Sequence, residues 1–248
     1  MGLFDFLTKN KAADSQNPVA SKEILRLTRV VGSKLSQDYD RQEAIAQLSA
    51  MASADGARAL LKRFDFSMEP SITDHEEKQA AANGVAAAGK NALQPVRDYI
   101  TRAESVTWPL KVLRQIVEPE NLVDELIDLL EHFDTEYVRN AEPKVQLINS
   151  LEEFPTEAVR KAIVPFILDV NENVRFHAVG TLFAVSDEQS VPALLEALTE
   201  EESLRVKNRI AGGIEQRRWA IPEKLRAACE AALPDTFSLE GAHLSRHG

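Results

Sequence analysis

The chain has 248 residues, 44% of them hydrophobic and 27% charged, and a net charge of −10. That length buries a sizeable core as one large domain or one elongated array. The acidity repels a phosphate backbone and so disfavours nucleic acid as a partner. A single cysteine, Cys229, excludes an internal disulfide and any Cys-x-x-Cys metal or redox motif, and fits a cytoplasmic setting.

The first stretch, "MGLFDFL" (1–7), sets Met1, Leu3, Phe4 and Leu7 on one helical face with Phe6 off it. Seven residues are marginal as an isolated helix. The segment reads as an apolar peptide that docks on a partner, touches a membrane surface or folds back on the chain. It lacks the basic flank and cleavage-like site of a signal peptide, and Phe6 stands where a myristoylation signal needs Ser or Thr. Membrane contact through residues 1–7 is its weaker reading, because only two lysines follow nearby. Residues 8–19, "TKNKAADSQNPV", read as a flexible linker, so that 1–19 form one N-terminal segment.

From residue 20 to 234 the apolar residues recur at helical spacing, and strand signals are weak. "SKEILRLTRVVGSKL" (21–35) is amphipathic and reads as a capping helix. A series of helix pairs follows. The first helices are "QEAIAQLSAM" (42–51), "KQAAANGVAAAG" (78–89), "PLKVLRQIV" (109–117), "KVQLINSL" (144–151), "VRFHAVGTLF" (174–183) and "LRVKNRIAGGI" (204–214). The second helices are "ARALLKRF" (57–64), "QPVRDYI" (94–100), "VDELIDLL" (123–130), "IVPFILD" (163–169), "VPALLEAL" (191–198) and "IPEKLRAA" (221–228). Leu60 and Leu194 stand 134 positions apart, which over four steps averages 33.5. A period of about 30–45 residues with two helices per unit marks an α-solenoid, whose stacked layers bury a continuous core. The longest apolar runs, such as "AIVPFIL" (162–168), are too short to span a bilayer. The tail "DTFSLEGAHLSRHG" (235–248) has little helical pattern and reads as loose.

The clearest copy of the unit, 171–199, carries Val174, Arg175, Ala178, Leu182, Asp187, Val191, Pro192, Leu194, Leu195 and Leu198. On these residues the chain resembles the HEAT-repeat family, in particular the short HEAT-like repeats related to phycobilisome lyases. The resemblance implies an all-α, right-handed α-α superhelix of about six helix pairs. In it the first helix of each pair lies on the convex side and the second on the concave side. It also implies adaptor, scaffold or assembly roles more often than enzymatic ones.

Several motifs test for chemistry. Arg175 and His177 are two apart on one helix and so do not share a face. Arg175 recurs at equivalent helix starts as Arg139, Arg160 and Arg205, which points to a structural residue that bonds a neighbouring carboxylate or helix end. The histidines, at 75, 132, 177, 243 and 247, show no metal-ligand spacing. The HEAT-like deoxyhypusine hydroxylases hold two irons with a His–Glu pair in each of four repeats; here only His75–Glu76 matches. No residue independently supports bilin lyase or isomerase chemistry. A HEAT-like DNA glycosylase needs a basic, aromatic cleft, which an acidic chain with 6% aromatics does not suggest. No catalytic residue, metal or cofactor is expected.

Charge is uneven. Residues 118–153 hold eleven acidic against two basic residues, while 204–226 hold seven basic against two acidic, a local charge of +5. Opposed zones steer and orient a partner. The basic zone is the sharper candidate, since Trp219 adjoins Arg217 and Arg218, and Trp and Arg are enriched at binding hot spots; the alternative for Trp219 is that it closes the core near the last pair. The expected function is a protein-binding scaffold or adaptor using the second-helix, concave surface, with Arg205, Arg209, Arg217, Arg218 and Trp219 contacting another protein; the alternatives are a HEAT-like enzyme of the bilin lyase/isomerase or iron hydroxylase type and a membrane-peripheral adaptor tethered by residues 1–7.

Overall fold

The computed structural model describes residues 18–247, so the apolar peptide at 1–7 and most of the linker lie outside the described residues. The described chain is all-α, a solenoid of helix pairs that ends in one small hairpin. Its helices fall into two compact units, one reaching to Tyr99 and including 108–116, the other holding 100–107 and everything from Val117 on.

In the first unit α1 (Pro18–Val31) packs on α2 (Asp38–Ala50) and α3 (Ala54–Leu61), and α4 (Ser71–Ala87) packs on both α2 and α3. Two further helices, α5 (Leu93–Ile100) and α6 (Thr107–Ile116), follow. Leu27 and Val31 of α1 are buried with Ile45, Leu48, Leu60, Leu61, Ala81 and Val85. The helix ends at Val31, and Leu35, the last residue of the stretch read from the sequence as an amphipathic helix, is 92% exposed.

A buried ionic network accompanies this core. Arg41 and Arg63, both fully buried, converge on one carboxylate oxygen: Arg41 Nε lies 2.9 Å and Arg63 Nε 2.7 Å from Glu77 Oε2. Arg63 also reaches Asp74 at 2.7 Å, and Lys78 Nζ donates to the same Asp74 carboxylate at 2.8 Å. Arg41 further bonds Asp38 and the Ser36 carbonyl. The other oxygen of Glu77 is buried without a hydrogen-bond partner. Thus "DHEE" (74–77) supplies two carboxylates, Asp74 and Glu77, to structural ion pairs.

In the second unit α7 (Pro119–Leu130) precedes α8 (Glu142–Ser150) and α9 (Glu157–Ile163), which continues as a 3₁₀ turn to Leu168. Then come α10 (Glu172–Val185), α11 (Val191–Glu200), α12 (Leu204–Arg217) and α13 (Arg226–Ala232). Among the described residues the thirteen helices therefore run as one N-terminal helix and six successive pairs. Two layers arise in this unit. One is α8, α10 and α12, where α10 packs between the other two; the second contains α7, α9, α11 and α13.

Polar side chains fix where these helices start. Thr156, Asn171 and Ser203 accept backbone N–H bonds at the N-termini of α9, α10 and α12, satisfying donors that the first turn leaves unpaired. Pro119, Pro143 and Pro192 occupy first-turn positions of α7, α8 and α11, where a missing N–H costs little. Helices α10 and α12 stop at Ser186 (φ 56°) and Arg218 (φ 52°), each in the left-handed conformation. The apolar stripes interlock as Ile148, Val174, Ala178, Leu182, Leu194, Leu198, Val206, Ile210 and Ile214, all essentially inaccessible.

The tail corrects the expectation of a loose segment over 235–248. Strand β1 (Phe237–Glu240) pairs antiparallel with β2 (His243–Arg246), with Phe237 opposite Arg246 and Leu239 opposite Leu244. Gly241 supplies the positive φ of 65° that so tight a turn requires. Phe237 and Leu244 are buried, and the hairpin packs on α12 and α13. Ile221 N–H donates to the Ala242 carbonyl at 2.7 Å, tying the turn to the loop after α12. Apolar burial by both strands is what orders a segment with no helical pattern.

Candidate functional site

Two of the recurrent arginines are staples. Arg175, at the start of α10, meets Glu201 at the end of α11 and also donates to the carbonyls of Asp169 (2.9 Å) and Val170 (3.3 Å). Arg160 pairs with Asp187 at 2.8 Å. Both therefore bind a neighbouring carboxylate inside the stack. Lys144 is fully buried; its Nζ donates to Asp169 at 2.6 Å and to the Asp134 carbonyl at 2.7 Å.

His177 points elsewhere. Its Nδ1 lies 2.8 Å from Asn149 Oδ1 on α8. Burial, reinforced by the nearby Arg209 charge, lowers its pKa, which favours the neutral ring. His75 is exposed, with its ring 5.2 Å from that of Trp108. Among the described residues no group of three or more His, Cys, Asp or Glu is placed to hold a metal ion. No described helix is long and apolar enough to cross a membrane.

The five residues singled out in the basic zone occupy unlike environments. Arg205 and Arg209, one turn apart on α12, both lie over the Phe176 ring of α10, at 3.6 and 4.0 Å from its centroid. Arg205 is half-exposed and stands 3.4 Å from Glu172. Arg209 makes no hydrogen bond or ion pair among the described residues. Its pKa is lowered by burial, which outweighs the opposing pull of the Glu152 charge; the Arg205 charge adds a smaller push downward. Arg217 is held in the structure: Nη2 donates to the Phe183 carbonyl at 2.5 Å and Nη1 to the Gly213 carbonyl at 3.3 Å. Its guanidinium lies 4.8 Å from the Phe183 ring and 5.6 Å from the Trp219 ring. Arg218 is exposed at the α12 cap. Trp219 is only 8% exposed and packs 5.6 Å from Phe183, so of its two readings the core one fits and the contact role does not: the indole closes the core.

These arginines belong to the first helix of their pair. They stand with α10, away from the second-helix layer where the sequence reading puts the default binding face. Between α10, α12 and the hairpin runs a groove of about 510 Å³, lined by Gly180, Phe183, Arg209, Gly212, Gly213, Arg217, Phe237 and Arg246 among others. Its shape follows from glycines in helix interiors, where each costs about 1 kcal/mol relative to Ala. A Cβ at Gly180 would lie 2.0 Å from Arg209 Nη2, and one at Gly213 would lie 2.2 Å from the Phe183 ring. Gly180 therefore makes room for the Arg209 guanidinium across α10, and Gly213 for Phe183. At Gly212 a Cβ would meet only Phe237, at an ordinary 3.7 Å, so this floor position stands open. Phe176, Gly180, Phe237 and Arg246 are absent from the sequence-based site. The Arg205–Phe176 and Arg209–Phe176 contacts join adjacent repeats, and Phe237 and Arg246 enter through the hairpin; neither leaves a local motif.

Residues 123–215 match the family model for HEAT repeats. The matched span runs from α7 through most of α12. No curated protein matches the chain.

Proposed function

We propose that this chain is a non-enzymatic scaffold or adaptor of the cytoplasm that binds another protein, and that the α12 arginine face is the contact. HEAT repeats generally serve protein binding, which supports the class of function. The observation that carries the location is Arg209: a half-buried guanidinium with no carboxylate bound, in a chain of net charge −10. Burying a charge without a counter-ion is unfavourable. Acidic residues are plentiful in this sequence, yet none is paired to it, and an incoming partner supplies what is missing. Arg205, over the same Phe176 ring, extends the positive surface, and Arg218 adds a further exposed cation at the end of α12.

The test is crosslinking and mass spectrometry in the native cell, with the chain and with its Arg205→Glu/Arg209→Glu/Arg218→Glu variant. The proposal expects a discrete set of proteins crosslinked near α12 and lost from the variant. The same proteins recovered in the same yield from both sinks it.

A further inference from the structure

We infer that the groove between α10, α12 and the C-terminal hairpin binds an extended acidic segment of a partner protein, with Arg209 and Arg246 engaging its carboxylates. This rests on the protein-binding reading above and adds the chemistry of the ligand. The volume of about 510 Å³ lies within the range of about 300–1,000 Å³ typical of ligand sites.

Three guanidiniums line the groove and no acidic residue does. Arg217 is bound to main-chain carbonyls and contributes its charge to the wall. Arg209 and Arg246 are the available donors: apart from the rings of Phe176 and Phe237, neither side chain has a hydrogen bond or ion pair among the described residues. A guanidinium held against an aromatic ring retains its edge N–H groups, which can grip a carboxylate with two bonds.

The dimensions fit a strand-like peptide. From Arg209 to Arg217 the helix rises about 12 Å at about 1.5 Å per residue. That equals three to four residues of extended chain at about 3.3 Å each. In such a chain alternate side chains share a face, so acidic residues on one face meet the guanidiniums while the backbone lies over the open floor at Gly212. The sequence keeps glycine at 212 although no packing contact forbids Ala there. Nucleic acid is the competing polyanion, and the long-range field of the chain opposes it.

The experiment is fluorescence anisotropy on the full chain with three labelled probes. They are a decapeptide of alternating Glu and Ser, the same peptide with Gln for Glu, and a single-stranded oligonucleotide of similar charge. We expect the Glu peptide to bind about tenfold or more tightly than the Gln peptide. Arg209→Gln/Arg246→Gln should weaken it by a similar factor. Gly212→Leu, which fills the floor and leaves every charge in place, should weaken it too. Arg58→Gln, on an exposed arginine paired to Asp55 in the other unit, should leave it unchanged. Circular dichroism checks that each variant is folded. Equal binding of the Glu and Gln peptides, undiminished binding by the double variant, or tighter binding of the oligonucleotide overturns the inference. If the crosslinked proteins still depend on α12 while the Glu peptide fails, the scaffold reading stands and the acidic-segment inference falls alone.

Discussion

Arg175 and Glu201 meet through two parallel bonds, Nε to Oε2 and Nη2 to Oε1, each 2.7 Å long. Glu201 also accepts the Ser203 backbone N–H at 2.8 Å, in the turn that leads into α12. One fork-shaped contact thus fixes the start of α10, the end of α11 and the start of α12. Replacing Arg175 with Ala leaves a carboxylate that is 2% exposed without its cation. The expected loss is about 2–3 kcal/mol of stability, the scale of charge-assisted bonds. Urea unfolding followed by circular dichroism measures it; a change below about 0.5 kcal/mol, typical of surface pairs, contradicts the staple.

The same carboxylate sets a pH dependence. Burial alone raises the Glu201 pKa, but the bonds from Arg175 and from backbone N–H groups outweigh it, and the pKa falls below the ordinary value. Asp74 behaves alike: burial raises it, and hydrogen bonds from Lys78 and Arg63 bring it down further. A carboxyl whose pKa is lower folded than unfolded binds fewer protons when folded. Its contribution is complete above the unfolded pKa of about 4 and is lost as pH falls through the lowered folded value. The urea midpoint should hold steady from pH 7 to about 5 and drop below about 4. In an Arg175→Gln/Glu201→Gln variant the drop should be shallower; identical profiles would contradict the assignment.

Lys144 is a harsher case. Its ammonium and the Asp169 carboxylate are both fully buried. Lys144→Met keeps the bulk and strands the carboxylate, and should cost about 3–5 kcal/mol. Chemical denaturation of the variant checks this, and a cost near zero would mean that Asp169 finds another partner.

The helix-interior glycines make opposed predictions. Gly212→Ala meets no obstacle and should raise stability by about 1 kcal/mol. Gly213→Ala drives a methyl into the Phe183 ring and should lower stability by about 1–3 kcal/mol, less the helix gain. Thermal unfolding of the two variants side by side is decisive: shifts of the same sign would contradict the packing described.

Cys229 is buried, and burial, with the nearby Glu230 charge, pushes its thiol pKa up to about 11. Thiolate is the reactive form, so the thiol should be inert to a disulfide reagent at pH 8 and label only on unfolding. Fast labelling of the folded chain would show that α13 opens readily.

Periodicity made the helix pairs legible. Buried Val174, Ala178 and Leu182 recur at spacing four, and each pair repeats a register that only stacking satisfies. Arg175 was legible as structural because it recurs at the same place in other pairs. Lys144 was not: as one basic residue in an acidic stretch it resembled a solvated charge, and its partner Asp169 lies 25 positions away. Trp219 left two readings open for a related reason. Adjacent arginines suggest a surface, but the left-handed turn at Arg218 swings the indole back onto Phe183. The hairpin escaped because four-residue strands offer too few alternations to register a period of two.

The carboxylate of Glu77, shared by two buried arginines, also constrains how this sequence can diverge. Loss of Glu77 alone removes the carboxylate that both buried cations share and leaves Arg41 with Asp38 and Arg63 with Asp74, and loss of either arginine alone unbalances the charge that remains. Three apolar residues of matching volume would serve the fold about as well. Every single-step route to that state passes through a broken intermediate. Arg41, Arg63 and Glu77 should therefore be inherited as a block, kept together or exchanged together, across any lineage that preserves this fold.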